Sequence, residues 1–187
     1  MNNMPIEDIM RLSPVIPVLV VSDVARARPM AQALVAAGHR ALEVTLRTPE
    51  ALEVIHEMSR VEGAVVGAGT VLSAQDLDAS LSAGARFIVS PGLTEPLARA
   101  ASARGAPYLP GVANASDIMR GLDLGLNHFK FFPAVASGGI PALKALMAPF
   151  PSCRFCPTGG VTEATAPDWL ALKAVLCVGG TWVSAGL

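Results

Sequence analysis

The stretch L-E-V-T-L-R at residues 42–47 alternates apolar and polar side chains, and this alternation decides how the chain must fold. Successive side chains of a β-strand point to opposite faces, so Glu43, Thr45 and Arg47 share one face and the apolar residues share the other. We predict that the apolar face packs on helices. The charged side chains then point into the interior, where a charge is tolerated only when it forms an ion pair or serves catalysis or binding.

A second stretch, H-F-K-F-F-P at residues 128–133, repeats this pattern around a lysine. Lys130 shares one face with Phe132, whereas Phe129 and Phe131 occupy the other. A lone lysine in a strand is usually a solvated surface residue. Here that alternative would bury both phenylalanines in the interior while the lysine passed outward between helices. We therefore predict that the lysine points inward, as the carboxylate of the first stretch does.

Short β-rich runs of this kind alternate with helix-forming segments along the whole chain. Seven of these runs end 20 to 26 residues apart, at Arg47, Gly69, Pro91, Gly111, Pro133, Gly159 and Gly180. A unit of this length is a strand followed by its helical crossover. Eight predicted strands at this spacing favour a (β/α)8 TIM barrel.

The alternative to this barrel is an open doubly wound α/β sheet. Its G-x-G-x-x-G fingerprint is absent, because G-A-G-T-V-L at residues 67–72 has a leucine at the last glycine position. We predict a single barrel domain over residues 1–187, with an N-terminal helical extension over residues 1–13. Only seven residues follow Gly180, so the predicted barrel lacks its final C-terminal helix.

The composition excludes several classes of partner. With 14 basic and 15 acidic residues the net charge is −1, which offers no electrostatic footprint for nucleic acid or an anionic membrane. The acidic start of the chain is unlike an export signal. Three cysteines are too few for a disulfide framework, and no second Cys/His pair accompanies Cys153 and Cys156 to complete a metal site. We predict a cytoplasmic protein without a metal or a cofactor.

Lys130 and Glu43 are the residue types that carbonyl chemistry needs. A neutral amine attacks a ketone and forms a Schiff base, whose iminium withdraws electrons while a carbon–carbon bond forms or breaks. Glu43 suits the role of proton shuttle, and Arg47 suits a substrate carboxylate. The alternative enzyme is a proton-transfer isomerase, which would use Glu43 as its base without a covalent step.

Paired glycines stand at the ends of two predicted strands, in T-G-G at residues 158–160 and G-G-T at residues 179–181. Backbone N–H groups that no side chain shields can cradle a phosphate, and barrels often bind phosphate after their seventh and eighth strands. Tight turns alone would explain either pair of glycines. Their coincidence at both strand ends favours a phosphate site.

In order along the chain, L-E-V-T-L-R-T, G-A-G-T-V-L, S-P-G-L-T-E-P, F-K-F-F-P-A and R-F-C-P-T-G-G closely resemble the motifs of the 2-keto-3-deoxy-6-phosphogluconate aldolase family. That family also includes 4-hydroxy-2-oxoglutarate aldolase activity. The likeness runs from about Val15 to Trp182. It implies a class I, metal-independent aldolase of the Entner–Doudoroff pathway, which releases pyruvate and glyceraldehyde 3-phosphate and is typically a homotrimer.

The same resemblance implies roles for individual residues. Lys130 matches the family's Schiff-base lysine, and Glu43 matches its general acid/base. Arg47 and Thr70 match positions that hold the carboxylate end of the pyruvyl group. The remaining matches line the pocket (Pro91 and Phe132) or belong to the substrate-hydroxyl and phosphate loops (Thr158, Gly159, Gly160, Gly179, Gly180 and Thr181).

The resemblance ends near the C-terminus of the chain. Members of the family continue into a final helix, whereas this sequence stops shortly after residue 181. We therefore expect the second phosphate loop to lose its support. A non-enzymatic alternative follows from this expectation, namely a truncated barrel that folds and oligomerises with weak or no turnover.

Overall fold

The computed structural model describes residues 4–186, so residues 1–3 of the predicted extension and residue 187 lie outside the described part. Its strands are β1 (Val15–Leu19), β2 (Ala41–Thr45), β3 (Val65–Gly69), β4 (Phe87–Val89), β5 (Tyr108–Leu109), β6 (Gly111–Val112), β7 (His128–Phe131), β8 (Arg154–Pro157) and β9 (Val178–Gly180). Its helices are α1 (Ile6–Met10), α2 (Ala27–Ala36), α3 (Ala51–Ser59), α4 (Ala74–Ser82), α5 (Glu95–Ala103), α6 (Ala115–Asp123), α7 (Gly139–Met147) and α8 (Ala166–Leu170). Two 3-10 turns cover Val24–Arg26 and Trp182–Ser184.

Local side-chain hydrogen bonds start several of these helices. Ser73 accepts a hydrogen bond from the Asp76 backbone N–H at 3.0 Å and so caps α4. Asn114 caps α6 in the same way, with the Asp117 N–H at 3.0 Å. Each cap satisfies a donor that the first helical turn leaves free, which typically stabilises the helix by about 1 kcal/mol. None of the described helices is long and apolar enough to span a bilayer.

The strands are all parallel but form two sheets. The larger has the order β5-β4-β3-β2-β1-β9, and the smaller has the order β6-β7-β8. The prediction of a (β/α)8 TIM barrel lacking its last helix is therefore wrong, because the described chain has nine short strands in two separate sheets instead of one ring of eight. After β9 the described chain continues only as a 3-10 turn.

Two interruptions separate the sheets. Pro110 stands between β5 and β6 and has no N–H to continue the ladder, so the single strand predicted there is divided in two. On the other side, the edge of β8 that faces away from β7 has no regular ladder among the described residues. It is joined there by isolated bridges, from Phe155 to Val175 and from the following residue Thr158 to Gly179. The spacing between paired residues changes by one from the first bridge to the second. An extra residue of this kind interrupts a regular ladder.

The two sheets nevertheless share one interior. Side chains from α1, from β1 to β5, from β8 and from the residue before β9 form a single buried cluster. It consists of Ile9, Met10, Ile16, Ala41, Val65, Phe87, Val89, Leu109, Cys156 and Cys177. The cluster is mainly aliphatic, as the 5% aromatic content of the chain requires. Any polar side chain that the strands direct into this interior is therefore surrounded mainly by apolar groups.

The opposite faces of the strands pack on the helices. Phe129 and Phe131 are fully buried in this outer layer, with ring centroids 6.2 Å from Phe155 and 6.3 Å from Trp169 respectively. Burying each ring contributes about 1.5–3 kcal/mol. The prediction that these phenylalanines face the helices is confirmed. Because side chains alternate along β7, the intervening Lys130 faces the interior.

Helix α1 closes the end of the interior where the strands begin. Its Ile9 and Met10 are buried in the interior cluster, and Glu7 reaches the first residue of β7, with its Oε2 3.4 Å from His128 Nε2. Burial lowers the pKa of His128, and the neighbouring Glu7 carboxylate opposes this effect only in part. The folded protein therefore favours the neutral imidazole.

This depressed pKa predicts a pH-dependent stability. The unfolded chain binds the proton more readily than the folded one, so the free energy of unfolding falls as pH drops below the ordinary histidine pKa of about 6.5. His128→Asn should therefore show a smaller difference in Tm between about pH 7.5 and about pH 5.5 than the parent chain. The exposed His56 on α3 provides the control His56→Asn, which should keep the parent difference. Equal differences in all three proteins would contradict this account of His128.

Candidate active site

Lys130 of β7 and Glu43 of β2 meet in the interior although they belong to different sheets. Lys130 Nζ donates to Glu43 Oε1 at 2.9 Å, and the two side chains are only 7% and 5% exposed. The prediction that both charges point inward is confirmed. A carboxylate at this distance can take the proton that an ammonium must lose before it attacks a carbonyl group.

Glycines provide the space for this ion pair. Gly69, at the end of β3, lies against Glu43, and a Cβ at this position would overlap the carboxyl group. Gly67 of the same strand lies against the ring of Phe87 in the same manner. The alternation of glycines in G-A-G therefore lets larger side chains of neighbouring strands extend over β3.

Phe132 and Thr158 lie near the lysine. The Phe132 ring centroid is 5.3 Å from Lys130 Nζ, a cation–π contact worth about 0.5–2 kcal/mol. Thr158 follows β8 and is buried, with its Oγ1 3.8 Å from the sulfur of Cys156. Cys156 is in turn the register partner of Lys130. These contacts place an aromatic ring and a hydroxyl group on the same side of the interior as the amine.

Thr70 adopts an unusual backbone conformation directly after β3. Its φ of +59° lies in the left-handed region, which is rare for a β-branched residue. Such a conformation costs about 1–3 kcal/mol, and strained residues cluster at functional sites. The next residue, Val71, donates its N–H to the Val89 carbonyl at 3.2 Å and so ties this loop to the end of β4, two residues before the half-buried Pro91.

Arg47 lies apart from this group. It follows β2 by two residues and is exposed, and among residues 4–186 it has no hydrogen bond or ion pair. The prediction that Arg47 points into the interior with Glu43 is therefore wrong, because β2 ends at Thr45 and the alternation of faces does not extend to Arg47. Its side chain does not contact Lys130 or Glu43. Its guanidinium group is free to bind an anion that approaches the C-terminal ends of the strands.

The loop at residues 158–160 is joined to the loop that follows β7. The N–H groups of Ala134 and Val135 donate to the carbonyls of Thr158 and Gly159 at 2.8 and 3.0 Å. Gly159 and Gly160 have φ values of +98° and +78°, in the left-handed region that glycine adopts without a steric cost. A side chain at either glycine would be strained.

The loop at residues 179–181 contacts the loop at residues 158–160 through Gly179 and Thr158. A Cβ at Gly179 would overlap the hydroxyl of Thr158, so these two residues lie side by side. Gly180 is covered by the ring of Trp182. Thr181 is exposed and precedes the 3-10 turn, where its carbonyl accepts a hydrogen bond from the Ser184 hydroxyl at 3.1 Å. The two loops predicted to act together are therefore joined through the contact of Thr158 with Gly179.

Across residues 4–186, no cluster of three or more His, Cys, Asp or Glu side chains is suited to hold a metal ion. The three cysteines, Cys153, Cys156 and Cys177, are free and buried. A hydrogen bond with Cys156, together with burial, raises the pKa of the Cys177 thiol well above its ordinary value. The charged chemistry of the interior is therefore carried by the lysine and the carboxylate.

One buried pair of hydroxyl groups near the boundary of the sheets could not be predicted from the sequence. Tyr108 of β5 and Ser90, which follows β4, are both buried, and their hydroxyl oxygens are 2.6 Å apart. Ser90 also donates to the carbonyl of Gly92 at 2.7 Å. The two residues stand on neighbouring strands, but their sequence spacing shows no periodicity that would pair them. Only the three-dimensional register brings the two hydroxyl groups together.

A buried lysine–carboxylate pair between two parallel sheets is typical of α/β enzymes that use a lysine amine. The sequence model of the KDPG and KHG aldolase family matches residues 6–186, and the chain belongs to this family. Aldolases are carbon–carbon lyases, which confirms the predicted class of enzyme. The family resemblance of the quoted motifs is confirmed by the same match.

Individual relatives agree with this assignment. The chain is 60% identical over 178 residues to the 2-dehydro-3-deoxy-phosphogluconate aldolase of Zymomonas mobilis, a match that covers 95% of this chain and 86% of the relative. The crystal structure of the 2-keto-3-deoxy-6-phosphogluconate aldolase of Z. mobilis ZM4 with 3-phosphoglycerate superposes with a TM-score of 0.94, at 60% identity and covering 95% of this chain and 85% of that chain.

A third relative bears on the chemistry. The KDPG aldolase of Legionella pneumophila, solved with pyruvate captured as a covalent carbinolamine intermediate, is 45% identical to this chain. It superposes with a TM-score of 0.93 and covers 96% of this chain and 88% of that chain. A carbinolamine is the adduct that forms when an amine adds to a ketone, so covalent amine chemistry occurs on this fold.

The buried ion pair predicts a large cost when one partner is removed. Glu43→Ala leaves the Lys130 ammonium buried without its partner, which should lower the free energy of unfolding by about 3–5 kcal/mol. Urea denaturation monitored by circular dichroism measures this loss. The second change Lys130→Met, which removes the stranded charge, should restore much of the stability.

The exposed ion pair of Glu95 with Arg99 provides the matched control, since its side chains are 62% and 69% exposed. Glu95→Ala should cost less than about 1 kcal/mol. If Glu43→Ala and Glu95→Ala lowered the unfolding free energy equally, the pair in the interior would carry no buried charge.

Proposed function

We propose that this chain is a class I aldolase that cleaves 2-keto-3-deoxy-6-phosphogluconate into pyruvate and glyceraldehyde 3-phosphate through a Schiff base on Lys130. The observation that carries the proposal is the contact of Lys130 with Glu43, buried in the interior of a chain that belongs to this aldolase family. The family match also includes KHG aldolases, so we propose 4-hydroxy-2-oxoglutarate as a second substrate with the same 2-keto acid end.

The first steps form the covalent bond. Glu43 accepts a proton from Lys130, and the neutral amine adds to the C2 carbonyl of the substrate to give a carbinolamine. Loss of water, with the proton returned by Glu43, then gives the iminium. The cation–π contact of Phe132 with Lys130 supports this assignment, because the same ring would face the positive charge of the iminium.

Cleavage follows from the electron demand of the iminium. The C4 hydroxyl gives its proton to Glu43, the C3–C4 bond breaks, and C4 leaves as the aldehyde of glyceraldehyde 3-phosphate. The electron pair of the broken bond moves into the iminium and forms an enamine. Proton return to C3 and addition of water to the imine then release pyruvate and the free Lys130 amine. One carboxylate therefore serves as base and acid in turn.

The remaining predicted residues bind the ends of the substrate. We assign the C1 carboxylate to Arg47, whose guanidinium group is free, and to the strained Thr70. Pro91 and Phe132 form apolar walls, and the buried hydroxyl of Thr158 contacts a substrate hydroxyl. The phosphate lies on the backbone of the adjacent glycine loops, which consist of Gly159, Gly160, Gly179, Gly180 and Thr181.

We also propose that the enzyme is a cytoplasmic homotrimer. Val20, Leu72 and Val135 follow β1, β3 and β7, and each of these apolar side chains is more than half exposed. Apolar side chains exposed along one end of a domain favour contact with another protein surface, here a second copy of the chain. The three free cysteines fit a reducing compartment. Sedimentation equilibrium measures the oligomeric state directly.

Borohydride trapping separates this function from its alternatives. Reduction in the presence of pyruvate should add one reduced pyruvyl group to the chain, and peptide mapping should place it on Lys130. Lys130→Met should give no adduct, whereas Lys173→Met, which changes an exposed lysine, should keep it. Because Glu43 moves protons in several steps, Glu43→Gln should lower kcat by about 10²–10⁴-fold in an assay of pyruvate release.

Each alternative has its own outcome. A proton-transfer isomerase would turn over substrate without any trapped adduct on the folded parent chain. A chain that associates without turnover would show neither an adduct nor pyruvate release. An adduct that persisted in Lys130→Met would move the reacting amine to another lysine and would refute the assignment of Lys130.

A further inference from the structure

The reacting pair spans the boundary between the two sheets. Glu43 belongs to the six-stranded sheet and Lys130 to the three-stranded sheet, so the distance between amine and carboxylate depends on how the sheets are held together. On one side the chain itself crosses this boundary at Pro110, between β5 and β6. Groups that fix the backbone at this crossing therefore fix the position of the lysine.

A chain of hydrogen bonds lies directly beside the crossing. The Ser90 hydroxyl has one proton, and it donates this proton to the Gly92 carbonyl at 2.7 Å. The contact of 2.6 Å between Ser90 and Tyr108 therefore has Tyr108 as the donor. Burial raises the pKa of Tyr108 to about 12, so the phenol keeps its proton across the physiological pH range. The direction of the chain is fixed from Tyr108 through Ser90 to the backbone of the Pro91 loop.

The Pro91 loop follows β4 of the larger sheet and contacts the smaller sheet across the boundary. Gly111 of β6 has no Cβ, and a Cβ there would overlap the Pro91 carbonyl group. Gly111 is the register partner of Lys130, and the Lys130 backbone N–H donates to the Pro110 carbonyl at 2.8 Å. A loop anchored on the larger sheet therefore presses on the strand that neighbours the lysine in the smaller sheet.

We propose that Tyr108 and Ser90 are positioning residues for the Lys130 amine: their hydrogen-bond chain holds the Pro91–Gly92 backbone against Gly111 and so keeps the lysine in line with Glu43. This inference rests on the proposed function, because it assigns a role in the reaction of Lys130. Neither hydroxyl contacts the substrate in this account. They act through the backbone, and their loss displaces the amine without removing any reacting group.

Tyr108→Phe and Ser90→Ala test the proposal, since each removes one hydroxyl of the chain. The measurements are the rate of borohydride-trapped pyruvate addition to Lys130, kcat and KM for 2-keto-3-deoxy-6-phosphogluconate, and Tm. We expect each variant to lower the trapping rate and kcat by about tenfold or more, since small misplacements of a reacting group cost one to two orders of magnitude, with KM little changed. The double variant should lose no more than either single variant, because both interrupt the same chain.

Ser80→Ala is the matched control. Ser80 is as deeply buried as Ser90 and also donates to a backbone carbonyl, that of Asp76 at 2.7 Å, but it lies in α4, away from the pair. It should lower Tm as Ser90→Ala does while leaving the trapping rate and kcat unchanged. This comparison separates positioning from a general loss of stability.

Three outcomes would overturn the proposal. If the parent chain forms a Lys130 adduct and both hydroxyl variants form it at the parent rate, with only Tm lowered, then Tyr108 and Ser90 are structural residues alone. If the parent chain forms no adduct, the proposed function fails and the positioning role fails with it. A kcat loss in Ser80→Ala as large as that in Ser90→Ala would equally show that stability, and not position, controls the rate.

Discussion

The ion pair between Lys130 and Glu43 is the interaction on which this structure depends. Two charges lie 2.9 Å apart in an interior that is filled mainly by aliphatic, aromatic and sulfur-containing side chains. Each charge is tolerated there only because of the other, since an unpaired charge in such surroundings is strongly unfavourable. The pair also joins two sheets that share no regular ladder, so it links the chemistry of the site to the arrangement of the fold.

Small residues around the pair are as necessary as the charges themselves. Gly69 leaves the volume that the Glu43 carboxyl group fills, and Gly179 leaves the volume beside the Thr158 hydroxyl. At the boundary of the sheets, Gly111 lets the Pro91 loop approach the strand next to the lysine. In each case the missing Cβ lets a polar group of a neighbouring residue approach the glycine backbone closely. The site therefore depends on the missing side chains of these glycines as well as on the functional side chains of the neighbouring residues.

Much of this site could be predicted from the alternation of residues along two strands. The inward direction of Lys130 and Glu43 follows from the apolar residues on either side of them, because an aliphatic layer must pack on helices. Closure of the sheet could not be predicted in this way. It depends on the missing N–H of Pro110 and on a one-residue change of register beside β8, and hydrophobic patterns do not report hydrogen-bond ladders. The Tyr108–Ser90 contact is invisible for the same reason, since it arises from register between strands.

The most direct test of the account is a crystal structure of the chain after soaking with pyruvate. We expect continuous electron density from Lys130 Nζ to C2 of the pyruvyl group, with the Glu43 carboxylate within hydrogen-bond distance of the new bond and the Phe132 ring facing it. Pyruvate bound without a covalent link, or linked to another lysine while the ion pair remained intact, would contradict the claim that this buried pair is the reacting centre.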